Sequence, residues 1–213
     1  MQQLAIAAIV FIGGFIIMVI EIIGARFLAV SFGNSFYIWV NQIGLVMVAL
    51  AIGYYVGGVL ADRWHRLIYL ARLLVPAGIF TFFIPTFAKD IFQLIMTPEG
   101  QMPSPLRGIL EPILGSALVF LLPCIILAML SPYMTQIVTR SLANVGRASG
   151  LIFAASTIGS IAGVFLSGYF LLQTFTLTTI FQVAGGLILI LAILCALLDR
   201  KLSPPLAPSP ASR

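Results

Sequence analysis

Histidine occurs once in this chain and cysteine twice, among 213 residues. His65, Cys124 and Cys195 lie far apart, so no pair of them has the spacing of metal ligands. His65 sits among basic residues with no serine and acid partner, which excludes a Ser-His-Asp arrangement. Cys124 and Cys195 fall inside apolar runs, where a thiol behaves as a small hydrophobe. No phosphate-cradling glycine loop follows a strand, because Gly57-Gly58 and Gly185-Gly186 lie within apolar runs as well. The expectation is a chain that is not an enzyme, with no cofactor and no metal. Charge is equally scarce: 8% of residues are charged. That scarcity excludes a water-soluble domain, as does a mean hydropathy of +1.16 with 61% hydrophobic residues.

What remains is apolar sequence in long runs. A bilayer crossing needs roughly 20 apolar residues as a helix. The runs predict spanning helices over Leu4–Val30, Phe36–Ala61, Leu67–Ala88, Ile109–Val138, Gly150–Leu172 and Thr176–Leu198. The first run lacks a preceding basic stretch and a following cleavage site, so it reads as a retained helix. Predicted turns cover Ser31–Ser35, Asp62–Arg66, Pro98–Pro105, Arg140–Ser149 and Gln173–Phe175. Ile91–Met96 is too short to span and is expected on the membrane surface. The chain thus reads as one transmembrane domain over 1–202 and a Pro/Ser-rich tail over 203–213.

The net charge of +5 is a matter of topology. With a cytoplasmic N-terminus, Arg63, Arg66, Arg72, Arg140, Arg147, Arg200, Lys201 and Arg213 fall inside and only Lys89 and Arg107 outside. The positive-inside rule then places both termini in the cytoplasm. Basic residues that lie between apolar runs form no stripe for nucleic acid, which is excluded as a partner. Tyr37, Trp39 and Trp64 suit interfacial anchors.

Within the runs, two features stand out. Ala49, Gly53, Gly57 and Ala61 recur one turn apart in the second helix, as do Ala155, Gly159, Gly163 and Ser167 in the fifth. Lipid offers no hydrophobic drive for helix association, so close backbone approach along such stripes supplies packing energy. Helices two and five are equivalent if the first three and last three helices form inverted repeats, an arrangement found in secondary transporters. The second feature is charge. Glu21 and Arg26 lie in the first helix, and a central carboxylate costs roughly 2.5–3.5 kcal/mol on insertion scales. Five residues turn about 140° around a helix, so the two do not pair with each other. Each is expected to meet another helix, with Asn41, Gln42, Tyr54 or Gln182 as polar partners. Two readings stay open, an interhelical polar clamp and a solute or proton site. Pro76, Pro85, Pro112, Pro123 and Pro132 mark helices three and four. Pro123 frees the carbonyl of Val119 and favours a kink.

Glu21-Ile22-Ile23-Gly24-Ala25-Arg26, the turn Phe32-Gly33-Asn34-Ser35 and Gly53-Tyr54-Tyr55-Val56-Gly57-Gly58-Val59-Leu60-Ala61-Asp62-Arg63 resemble the membrane domain of bacterial spermidine synthase-like proteins. Leu122-Pro123, Ser131-Pro132, Val145-Gly146-Arg147 and the run from Gly150 to Gly163 extend the resemblance over nearly the whole chain. Gly58 to Arg66, with Asp62, Arg63 and Arg66, is also similar to the loop between helices two and three of major facilitator transporters. The resemblance implies an all-α polytopic fold, half-major-facilitator-like, with a three-plus-three arrangement in a bacterial inner membrane. In that family the helices usually precede a catalytic domain. None follows here, so a catalytic role is not carried over. Two functions are expected as alternatives. One is a membrane subunit that docks a synthase-like enzyme or a larger membrane complex. The other is a dimeric half-transporter for a small solute such as a polyamine, with Glu21 as counter-charge.

Overall fold

The computed structural model describes residues 2–64, 66–96, 104–138 and 145–202. All regular elements among them are helical. Helix α1 spans Gln2–Phe32, α2 Phe36–Arg63 and α3 Leu67–Ile95. The fourth crossing, α4, runs from Ser104–Ser116 through a π-turn at Ala117–Leu121 into Leu122–Ala128 and Leu130–Val138. The fifth, α5, joins Val145–Leu166, a π-turn at Ser167–Leu171 and Leu172–Thr174, and α6 covers Leu177–Leu202. Six helices are long and apolar enough to cross a membrane. The chain is an all-α, multi-pass membrane protein.

Helix ends follow local chemistry. Gly33, at φ +91°, ends α1 in a backbone conformation that costs glycine nothing. Pro123 has no N–H to offer the previous turn, and the π-turn at Ala117–Leu121 directly precedes it. A wider turn thus stands next to the proline where a kink is expected.

Several boundaries need correction. Ile91–Met96 does not lie apart on the membrane surface, since α3 continues to Ile95. Phe92 is fully buried, with ring contacts to Phe27 at 5.7 Å and Phe32 at 5.1 Å, and this packing extends α3 past Lys89 and Asp90. Within the predicted turn Arg140–Ser149, residues from Val145 onward are helical, and 139–144 lie outside the described residues. Asp199 and Arg200 likewise belong to α6, whereas the tail 203–213 lies outside the described residues.

The bundle is built from two equivalent halves. In the most apolar window of each span, α1 and α4 are 56% and 61% buried, α2 and α5 only 22% and 17%, and α3 and α6 both 44%. Helix α1 packs chiefly on α5, α4 on α2, and α3 on α6. Exchanging α1 with α4, α2 with α5 and α3 with α6 leaves this pattern unchanged. The small-residue stripes show why. A β-carbon on Gly159 would stand 2.0 Å from the Phe11 carbonyl oxygen, and one on Gly53 2.5 Å from that of Ile125. One turn on, Gly163 meets the Phe15 carbonyl and Met18, while Gly57 meets Met129 and Pro132. At the α3–α6 crossing the contact is reciprocal: Gly78 faces Leu189 and the Gly185 carbonyl, and Gly185 faces Phe82 and the Gly78 carbonyl. Both stripes are thus consumed by contacts within the chain.

Aromatic rings fill the space behind α1 and α4. Phe27 meets Phe181 edge-on at 5.4 Å, and Phe120 stacks on Phe181 at 5.9 Å. Helices α3 and α6 therefore form the back of the bundle. The opposite face presents α1 and α4, flanked by α5 and α2.

At the end of the bundle that carries Arg66, polar contacts lock the α2–α3 connection. The Tyr133 hydroxyl reaches the carbonyl oxygens of Trp64 at 2.5 Å and Arg66 at 3.2 Å. Arg66 donates from Nη2 at 3.0 Å and Nε at 3.3 Å to one oxygen of the buried Asp199. Trp64 stacks on Tyr69 at 5.0 Å, and the Arg63 guanidinium lies 5.9 Å above Trp64. Replacing Tyr133 by Phe removes the hydroxyl and leaves the ring. The expected loss is about 1 kcal/mol, read as a lower unfolding midpoint in detergent.

Candidate functional site

The polar residues that the apolar helices carry separate into two groups. The first joins α2 to α4. Asn41 donates from Nδ2 to the Ile109 carbonyl at 3.1 Å, and the Ser116 hydroxyl donates to Gln42 Oε1. Gln42 and Ser116 are both fully buried. Gln42 Nε2 points at Gly24 of α1, where a β-carbon would stand 2.6 Å from it, and it meets no acceptor. Only a glycine leaves room for that amide. A sequence signal for Ser116 existed, since a serine one helical face from Pro112 inside an apolar run is a natural interhelical donor, but its partner could not be chosen without the packing.

The second group lies between α1 and α5. The Ser160 hydroxyl donates to the Gly14 carbonyl at 3.3 Å, and Gly14 also abuts Ser156. About two turns further along α1, on the same strip, stands Glu21. It is half-buried, and no hydrogen-bond donor or cation among the described residues reaches it. The expected partners go elsewhere: Asn41 and Gln42 bond α4, while Tyr54 and Gln182 are exposed. Arg26 is exposed on another side of α1, separated from Glu21 as the helical turn requires. The strip that holds Glu21 lies between the Gly14 contact with α5 and the Gly24 contact with α2 and α4. It therefore belongs to the face opposite α3 and α6.

Two residues of the region escape sequence reasoning. Ser167 reads as the last small residue of a packing stripe, yet its hydroxyl is fully buried with no partner, at the start of a π-turn. Glu111, in the first part of α4, is a second buried carboxylate. Its place near the predicted start of that helix gave no hint of burial.

The loop residues divide similarly. Asp62 and Arg63 are exposed at the end of α2, and Arg66, itself half exposed, alone of the three pairs with the buried Asp199. Gly53, Gly57, Gly159 and Gly163 all sit at helix crossings. No group of three or more His, Cys, Asp or Glu side chains among the described residues could hold a metal ion.

Two cavities complete the picture. One of about 540 Å³, bordered by Ile6, Val138, Arg147 and Ile152, opens where α1 begins, α4 ends and α5 begins. The other, about 250 Å³, is an apolar groove on the back of α1, between α5 and α6, walled by Phe15, Val19, Leu171, Phe175 and Ile180. Neither contains Glu21.

These features define a class, a six-helix membrane protein of two equivalent three-helix halves with a carboxylate inside the apolar region. No protein-family model, curated protein or solved structure matches the chain.

Proposed function

We propose that this protein is a non-catalytic membrane subunit that assembles with another membrane protein through the face formed by α5, α1, α4 and α2. One observation carries this reading: Glu21 is half-buried on that face, about two-thirds along an apolar helix, and has no partner among the described residues. A carboxylate turned to hydrocarbon is costly and is normally covered by protein or a polar cavity. The flanking helices α2 and α5 are the least buried of the six, so the face is broad. Tyr54, Tyr55, Phe153 and Tyr169 on these helices are exposed, and aromatic side chains serve well in contacts between proteins. The sequence resemblance to the spermidine synthase-like membrane domain supports an enzyme-bearing or multi-subunit assembly. The glycine stripes do not, because both are occupied within the chain.

A second reading, a dimeric half-transporter, draws on the repeat pattern. Two inverted three-helix units, with polar groups near the middle of the membrane at their interface, recur in secondary transporters. A second copy of the same face would enclose a cavity around two Glu21 side chains.

Site-specific photo-crosslinking in native membranes tests the assembly. Probes at Tyr54 and Thr157, on α2 and α5, are expected to give discrete higher-mass adducts. Probes at Val75 and Ile190, exposed on α3 and α6, are expected to give none. Adducts confined to the α3–α6 side would overturn the reading, and adducts of twice the chain mass would select the dimer.

A further inference from the structure

The geometry points to a binding site for an alkali-metal cation between α1 and α5, formed by the Glu21 carboxylate and the Ser167 hydroxyl. Helices α1 and α5 ascend together: Phe11 meets Gly159, and Phe15 meets Gly163. On the flank of this contact, Gly14 and Ser160 face one another, with Ser160 Oγ bonded to the Gly14 carbonyl. A translation of two turns along both helices carries Gly14 to Glu21 and Ser160 to Ser167, with a rotation of only about 20°. The translation sets the two residues at about one depth on the same flank of the α1–α5 contact.

Their states agree with that placement. The Ser167 hydroxyl is fully buried and unpartnered, and Glu21 has no donor or cation among the described residues. A buried hydroxyl normally finds a hydrogen bond, so an orphaned one beside an uncompensated carboxylate marks a place for a ligand. Ser167 also opens the π-turn Ser167–Leu171. Carboxylate and hydroxyl oxygens are hard donors of the kind that hard cations take. A single carboxylate matches a single positive charge. No basic side chain among the described residues competes for it, since Arg26 points to another side of α1.

This inference rests on the reading that the Glu21 face is covered by protein, which keeps a bound ion out of hydrocarbon. The test uses the full chain in lipid nanodiscs, with thermal unfolding in sodium, potassium or choline chloride at equal ionic strength. Sodium or potassium is expected to raise the midpoint over choline by about 5 °C. Glu21→Gln should abolish the rise, and Ser167→Ala should remove at least half of it, with both variants keeping wild-type helicity and elution. Equal midpoints in the three salts overturn the site, as does a full rise in either variant. If Glu21→Gln does not fold, Ser167→Ala alone decides. Crosslinking at Tyr54 in native membranes separates the two proposals: a cation effect in nanodiscs without adducts in the membrane removes the assembly, and adducts without a cation effect remove the site.

Discussion

Gly159→Leu is expected to abolish the folded protein. Even the first carbon of the new side chain would stand 2.0 Å from the Phe11 carbonyl oxygen, with the Phe11 carbonyl carbon at 2.8 Å. Those are backbone atoms, so no rotamer change relieves the clash, and α5 must move off α1 along its length. Overpacking in a dense interior costs about 1–3 kcal/mol where side chains can yield. A backbone clash at the longest contact of α5 exceeds that range and also strips the contacts at Gly163 and Ser160. Sodium dodecyl sulfate titration of the purified protein is the measurement, and loss of the cooperative transition is the expected result. Two controls sharpen it. Gly58→Ala and Gly186→Ala meet no atom within 4 Å, and should leave the transition in place or raise it slightly, since alanine favours a helix over glycine by about 1 kcal/mol. A folded Gly159→Leu protein with the wild-type midpoint would show that α1 and α5 do not pack through this stripe.

The second large effect is expected at the Arg66–Asp199 pair. The Asp199 side chain is only 4% exposed, whereas Arg66 is 52% exposed. Arg66→Ala leaves a buried carboxylate without its cation. Breaking a fully buried pair costs about 3–5 kcal/mol, and water access on the Arg66 side reduces this to about 2 kcal/mol. The Arg66 carbonyl that accepts from Tyr133 is a backbone group and survives the substitution, so the loss is that of the side-chain pair joining α3 to α6. Replacing both partners, Arg66→Ala with Asp199→Leu, should recover most of the loss, since an apolar pair carries no desolvation penalty. A double variant as unstable as the sum of the single ones would show that the two charges act independently.

Which helices bury their surface divides the sequence reading from the tertiary outcome. Apolar run length located six crossings, because a helix in lipid must satisfy its own backbone and can do so only over enough apolar residues. Pro123 and Gly33 announced a distorted turn and a helix end through their own backbone chemistry. The stripes at Gly53–Gly57 and Gly159–Gly163 announced close helix contacts. All of this is local.

Partner choice is not local. Glu21 had four plausible polar partners in the sequence and meets none of them, because helix rotation and register decide what a side chain faces. The burial of Gln42 against Gly24 and Ser116, and of Asp199 against Arg66, joins residues far apart in the chain. The extension of α3 to Ile95 came from Phe92 seated on Phe27 and Phe32, a cluster no window of sequence contains. The sequence by itself determined the solvent, the number of crossings and where backbones could approach. Only the tertiary structure decided which face keeps a carboxylate without a partner among the described residues, because that depends on the rotation and depth of helices held by contacts between distant residues.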